Sequence, residues 1–201
     1  LDTAHLRRII LASTSPRRRE LIASLAVPFE VVPSHSDESY EASLSPEQIV
    51  MELAGRKADA VHRGLDPAAD RNAVIVGSDT IVVRDGDVLG KPRDVQEAAD
   101  MLRSLQGREH KVYTGVACVD ALTGRRHVDY RATIVTMKAL SEAQIQAYAR
   151  SGEGLDKAGA YAIQGLGATI VTGIEGCYFT VVGLPLSLLV DILSDFDIQV
   201  L

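Results

Sequence analysis

Apolar and polar positions along the chain follow two rhythms. Short β-branched runs at residues 8–12, 29–33 and 73–76 predict strands. The third run is apolar throughout, the pattern of a strand buried on both faces. Between them, Ser15-Pro16 and Ser45-Pro46 each join an N-cap residue to a first-turn proline and predict two helices, the first reaching about Leu25. In the second helix Ile49, Val50, Leu53, Ala54 and Ala58 share the core-facing side. After residue 76 the apolar run is interrupted by Ser78, Asp79 and Thr80. It resumes at Ile81-Val82-Val83, turns at Asp85-Gly86 as a hairpin, and runs out into Gly90-Lys91-Pro92.

The second half continues the alternation. A capped amphipathic helix is expected over residues 94–105, ending at Gly107. Two long strands at residues 112–122 and 126–138 are joined at Thr123-Gly124 as a hairpin. Ser141 opens a helix through Arg150, residues 168–174 read as a strand, and Pro185 leads into a closing helix up to about Asp195. Alternating strands and helices with inserted hairpins predict an α/β fold with a mixed sheet.

At 201 residues the chain can form one domain with a sizeable core, or two lobes sharing one sheet. A net charge of -6 argues against a general nucleic-acid-binding surface, so phosphate chemistry requires a local basic cluster. Aromatic residues make up only 4% and there is no Trp, which argues against a base-stacking platform. Cys118 and Cys177 lack metal spacing and read as reduced thiols. Arg7 and Arg8 precede too short an apolar run for a signal peptide, and Pro185 and Asp191 break the apolar region near the carboxyl end. A cytoplasmic location and no membrane partner are therefore expected.

Asp79 is the first candidate for chemistry, because a carboxylate inside a buried strand requires a compensating partner or a metal. Lys91, just beyond the hairpin, is one source of compensation. The run Ser13-Thr-Ser-Pro-Arg17-Arg18-Arg19 places three cations at a helix start after a strand, against the helix dipole. It reads either as an anion site or as a solvated basic turn, and it lacks the glycine-rich pattern of a P-loop. Asp37-Glu38 offers hard oxygen ligands or a solvated turn. Lys57 reads as a dipole complement or solvated charge near a helix end, and His110 as a surface or boundary residue. Glycines 159, 165 and 167 signal close backbone approach to a ligand or to another segment.

Taken together, Leu11-Ala-Ser-Thr-Ser-Pro-Arg-Arg18, Gly77-Ser-Asp-Thr80, Leu89-Gly-Lys-Pro92, Asp156-Lys-Ala-Gly-Ala-Tyr161, Ile163-Gln-Gly165 and Val181-Val-Gly-Leu-Pro-Leu186 resemble the Maf family of nucleoside triphosphate pyrophosphatases. The blocks occur in order and span nearly the whole chain, so residues 1–201 read as one such domain. The resemblance implies a mixed elongated sheet with flanking helices, related to the inosine triphosphate pyrophosphatases, with two lobes around a deep cleft and a homodimer. It also implies hydrolysis of a nucleoside triphosphate to the monophosphate and pyrophosphate, assisted by Mg²⁺, Mn²⁺ or Co²⁺. Asp79 matches the family's proton acceptor. Ser13, Arg18, Glu38, Lys57 and Lys91 match residues around the phosphates and metal, the metal set being Asp79 and Glu38. Arg17, Thr80 and Gln164 match the positions that distinguish subgroups, and their combination resembles the dTTP/UTP subgroup. Nucleotide-pool sanitation and division control are the implied cellular roles.

The residue chemistry agrees with that subgroup. Uracil and thymine present a carbonyl acceptor beside the N3–H donor, and the Gln164 amide offers one donor group and one acceptor. Two other readings stay open: a cell-division regulator acting by binding, and a pyrophosphatase for a modified or non-standard nucleotide.

Overall fold

The strand β3 (Ala73–Arg84) runs twelve residues without a break. Ser78, Asp79 and Thr80 interrupt its apolar pattern but not the strand, which places the Asp79 carboxylate inside a buried strand as expected. The computed structural model describes residues 7–201. Its seven-stranded sheet has the order β2-β1-β3-β5-β6-β7, with β4 paired to β3 outside that path. The strands are β1 (Arg8–Leu11), β2 (Phe29–Val31), β3, β4 (Asp87–Leu89), β5 (Glu109–Asp120), β6 (Arg126–Met137) and β7 (Val171–Glu175). β1 is parallel to both β2 and β3, while β4 and β7 run antiparallel to β3 and β6. The sheet is mixed, as the pattern predicted.

The chain separates into two compact units. One runs to Asp79 and includes Thr114–Tyr130 and Gly183–Leu201; the other comprises Thr80–Tyr113 and Arg131–Val182. Strands β3, β5 and β6 contribute residues to both.

In the first unit, alternate residues of the strands feed two cores. Ile9, Leu11, Val74 and Val76 pack with Ile22 of α1 (Pro16–Ala23) and with Leu189 and Ile192 of α6 (Leu186–Ser194). Ile10, Ala73 and Ile75 pack instead with Ala54, Ala58 and Val61 of α2 (Pro46–His62). Both faces of these strands are thus covered, which explains the uninterrupted apolar run. Ser15 caps α1 by accepting from Arg18 N. Ser45 and Gln48 form a reciprocal capping box on α2, satisfying two otherwise orphaned donors.

The second unit has one core. Ala98, Leu102 and Leu105 of α3 (Val95–Leu105) pack with Val112, Val135 and Met137 and with Ile145 and Tyr148 of α4 (Glu142–Arg150). Arg103 and Glu142 join α3 to α4 through bonds of 3.0 and 2.6 Å. Asp85 (φ 52°) and Gly86 (φ 88°) take the left-handed conformations that a tight two-residue hairpin between β3 and β4 requires.

Three expectations are corrected. The strand at residues 168–174 begins only at Val171, because Gly165–Thr169 closes into a 3-10 turn. A short helix, α5 (Tyr178–Val182), was not foreseen. His110 is 4% exposed rather than at the surface, with its ring nitrogen Nε2 2.6 Å from the Tyr161 hydroxyl. Among the described residues no helix is long and apolar enough to cross a membrane.

Candidate active site

The first unit gathers its charges by letting a helix lie unusually close to the sheet. A Cβ on Gly77 of β3 would strike the Ala54 carbonyl oxygen and stand 2.8 Å from Ala58 N. A Cβ on Gly115 of β5 would strike the Val50 carbonyl and stand 2.9 Å from Met51 N. Two glycines thus allow α2 to rest directly on the strands. Lys57, on that helix, ion-pairs with Asp79, which is 8% exposed, and lies 3.1 Å from Glu38. The reading of Lys57 as a solvated or dipole-complementing charge is corrected, since its ammonium bridges two carboxylates. Lys57 is also the partner that compensates the buried Asp79, a role for which Lys91 was considered.

The turn between β1 and α1 supplies the remaining polar groups. Ser13, 6% exposed, accepts Ser15 N at 3.1 Å, and Ser15 holds the first turn of α1. Arg17 and Arg18 follow at once, with no acidic residue in that turn to oppose them. Arg18 Nε donates to the Gly183 carbonyl at 2.7 Å, an acceptor that also receives the Ser78 hydroxyl at 3.0 Å. Burial lowers the pKa of the Arg18 guanidinium; Asp79 pulls it back up, Arg17 pushes it down and Glu38 raises it. At physiological pH the guanidinium stays charged. Of the two adjacent carboxylates in the loop after β2, Asp37 is occupied locally by Ser39, at 2.9 Å from its N–H and 2.5 Å from its hydroxyl. Glu38 alone reaches the cluster.

In this unit Glu38, Lys57 and Asp79 are joined by ion pairs, Arg18 and Ser78 share the Gly183 carbonyl, and Ser13 and Arg17 lie on the turn and first helical residues beside Arg18. Thr80, Lys91 and Gln164 belong to the second unit. Thr80 is half-buried in β3, Lys91 is exposed past β4, and Gln164 is exposed immediately before the 3-10 turn Gly165–Thr169. The close-approach glycines of this stretch meet protein. Gly159 lies against Val82, Gly165 against Glu153, and Gly167 against the Ala162 carbonyl and the Tyr148 hydroxyl.

Nothing in the local sequence marks the Gly183 carbonyl as the shared acceptor of Arg18 and Ser78, or Tyr148 and Glu153 as the groups that fasten the backbone beside Gln164. Gly183 carries a trace in the sequence, as a glycine before Leu184-Pro185, and its φ is +124°. Glu153 stands alone as a carboxylate among glycines, and no local pattern marks it.

Two hard oxygen donors, Asp79 and Glu38, already converge on one ammonium. Such a donor set fits a cation of the Mg²⁺ type, which is commonly held by one or two carboxylates together with substrate phosphates. Among the described residues no cluster of three or more His, Cys, Asp or Glu side chains forms a complete protein cage for a metal.

A mixed α/β fold with an acid–lysine–arginine cluster defines the setting for hydrolytic phosphate chemistry, and comparison with known proteins supplies the family. The chain belongs to the Maf-like proteins, whose family profile matches residues 8–196. It is 47% identical to the dTTP/UTP pyrophosphatase of Pelotomaculum thermopropionicum, over 98% of this chain and 100% of that protein. Identity is 50% to the dTTP/UTP pyrophosphatase of Moorella thermoacetica, over 97% of this chain and 98% of that one. It is also 50% to the dTTP/UTP pyrophosphatase of Gloeobacter violaceus, over 96% and 98%. The chain is accordingly an enzyme, a hydrolase of the pyrophosphatase class. A solved structure, the Ham1 protein of Staphylococcus aureus, aligns with TM-score 0.43 and 11% identity, over 65% of this chain and 72% of that one.

Proposed function

We propose that this enzyme hydrolyses nucleoside triphosphates, dTTP and UTP in preference to others, to the nucleoside monophosphate and pyrophosphate. The observation that carries the reading is Lys57 of α2 bridging Glu38 and the strand carboxylate Asp79, with Arg18 anchored on the first turn of α1. The names of the near relatives supply the substrate class.

The roles follow from the chemistry of each group. Arg18 and Lys57 are cations that neutralise phosphate oxygens and charge accumulating on the departing pyrophosphate. Lys91 adds a third. Ser13 and the start of α1 bind a phosphate, where the helix dipole favours an anion. Asp79 orients a water and accepts its proton as the oxygen attacks phosphorus, most simply the α phosphorus, breaking the α–β anhydride bond. Asp79 and Glu38 would hold a divalent cation of the Mg²⁺, Mn²⁺ or Co²⁺ kind. When bound, that cation supplies further charge neutralisation at the phosphates. Lys57 holds both carboxylates in place through its ion pairs. Gln164 reads the carbonyl and N3–H of the pyrimidine, with Arg17 and Thr80 as the other specificity positions.

The test is product analysis on dTTP, UTP, CTP, ATP, GTP, inosine triphosphate and 7-methyl-GTP with each of the three metals, using Asp79→Asn as control. Pyrophosphate with dTMP or UMP is expected, and the variant should lose about 10²–10⁴ in turnover. Wild-type turnover by a folded Asp79→Asn protein removes Asp79 from the chemistry. Turnover confined to purines keeps the reaction and overturns the preference.

A further inference from the structure

Between α4 and β7, one carboxylate and one phenol fasten a length of backbone. Glu153 Oε1 accepts Leu166 N at 2.8 Å. Its Oε2 accepts Gly167 N at 2.9 Å and the Tyr148 hydroxyl at 2.6 Å. The Tyr148 oxygen in turn accepts Ala162 N at 3.1 Å. From behind, Lys157 Nζ donates to the Glu153 carbonyl at 2.5 Å. The pinned amides at 162, 166 and 167 bracket Gln164, which is itself exposed.

The backbone around Gln164 is shaped to admit this carboxylate. Gly165 has φ +61°, and a Cβ there would collide with Glu153 Oε1. Gly167 lies so close that its own Cβ would stand 3.0 Å from the Tyr148 hydroxyl. Burial pushes the Glu153 carboxyl up, but the bonds from Tyr148, Leu166 and Gly167 and the Lys157 charge outweigh that and hold it below the usual range. Glu153 is thus an ionised acceptor for three donors, placed where the chain leaves Gln164. The Tyr148 ring also packs in the core of this unit, so Tyr148→Phe keeps that packing while removing the hydroxyl.

We propose that Glu153 and Tyr148 are positioning residues for base selection, holding the backbone on both sides of Gln164 so that its carboxamide meets the base in one orientation. The inference rests on the reading of Gln164 as the base-reading residue. Donor and acceptor on a carboxamide discriminate uracil or thymine from cytosine only if the amide cannot turn or shift. Cytosine replaces the carbonyl with an amino donor and the N3–H with an acceptor, so a loosely held amide accommodates both patterns. Glu153→Gln keeps the shape and replaces one accepting oxygen by an NH₂ that faces a backbone donor or the phenol. Tyr148→Phe removes both the donor to Glu153 and the acceptor for Ala162 N.

The experiment measures kcat and KM separately for dTTP, UTP and CTP in the wild type, Glu153→Gln, Tyr148→Phe and Gln164→Glu, each checked for a cooperative thermal transition. Loss of the pin should lower the dTTP-to-CTP ratio of kcat/KM by about 5–150-fold, the range for leaving a buried polar group mispaired. The loss should enter through the dTTP KM more than through kcat. A merely structural role lowers all three substrates alike and leaves the ratio unchanged, which overturns the inference. If Gln164→Glu shifts the profile while the other two variants keep it, positioning fails and base reading stands. If Gln164→Glu leaves the profile unchanged, base reading fails and the inference falls with it. Should Glu153→Gln not fold, Tyr148→Phe decides by the same ratio.

Discussion

Around Asp79 side chains are held by opposite charge, whereas around Gln164 they are held by directional hydrogen bonds to neutral backbone donors. In the first unit an ammonium stands between two carboxylates, with a guanidinium fixed to a carbonyl nearby. In the second, one carboxylate receives two amides and a phenol. Charge is strong at short range and tolerant of angle, which suits a site that must accept a flexible triphosphate. Hydrogen bonds weaken steeply with angle, which suits a site that must tell one base edge from another. Glycines serve both regions in different ways. Gly77 and Gly115 remove side chains so that a helix can close on a sheet, and Gly165 supplies a left-handed turn so that a carboxylate can reach the backbone.

The sharpest way to break this comparison is Gly77→Ala. Its Cβ would meet backbone rather than a flexible side-chain end, so α2 must move and take Lys57 from Asp79. A stability loss of about 1–3 kcal/mol is expected from overpacking. A turnover loss on the order of 10²-fold is expected from misplacing a catalytic cation by about 1 Å. Denaturant melts and steady-state rates on the same preparation check both. Undiminished turnover in a destabilised protein shows that the charged cluster does not depend on close seating of α2.

A second prediction concerns pH and the second unit. Burial, helped by Arg108, lowers the His110 pKa from 6.5 to about 4. Folded His110 therefore binds its proton less tightly than the unfolded residue, and below pH 6.5 the unfolded chain takes up more protons. Stability from this group is complete above pH 6.5 and declines as pH falls toward about 4. The loss at the acid end is roughly 1–3 kcal/mol. Comparing urea midpoints at several pH values in the wild type and His110→Gln checks it, since the variant should lose this part of the pH slope.

The smallest effect comes from the helix cap. Ser45→Ala removes the acceptor for Gln48 N and half of the capping box, at a cost of about 1 kcal/mol. Lys57 lies about three turns along the same helix, so kcat should change by less than about twofold while the thermal midpoint falls. A large drop in kcat would tie the charged cluster to the helix start as well as to the glycines.

Much of the fold was legible because its signals are local. Ser15-Pro16, Ser45-Pro46-Glu47-Gln48 and Ser141 mark helix starts through bonds made within three residues. Asp85-Gly86 marks its hairpin through two backbone angles. The strand at 168–174 was misplaced because glycine- and alanine-rich sequence carries little periodicity, and the 3-10 turn at Gly165–Thr169 is held from Glu153 instead. His110 reads as a surface or boundary residue from sequence because a histidine carries no mark of its partner, Tyr161, 51 residues away.

By itself, then, the sequence determined the alternation of strands and helices, the apolar strand interrupted by a carboxylate, and the cationic start of the first helix. Each of these depends on the order of neighbouring residues. Tertiary structure decided which lysine neutralises Asp79, which carbonyl anchors Arg18, and which carboxylate fastens the chain beside Gln164. Those partners lie 22, 165 and 13–14 residues apart. Whether such groups meet depends on how close a helix can lie to a sheet and how far a loop can turn, which is settled only when the elements pack.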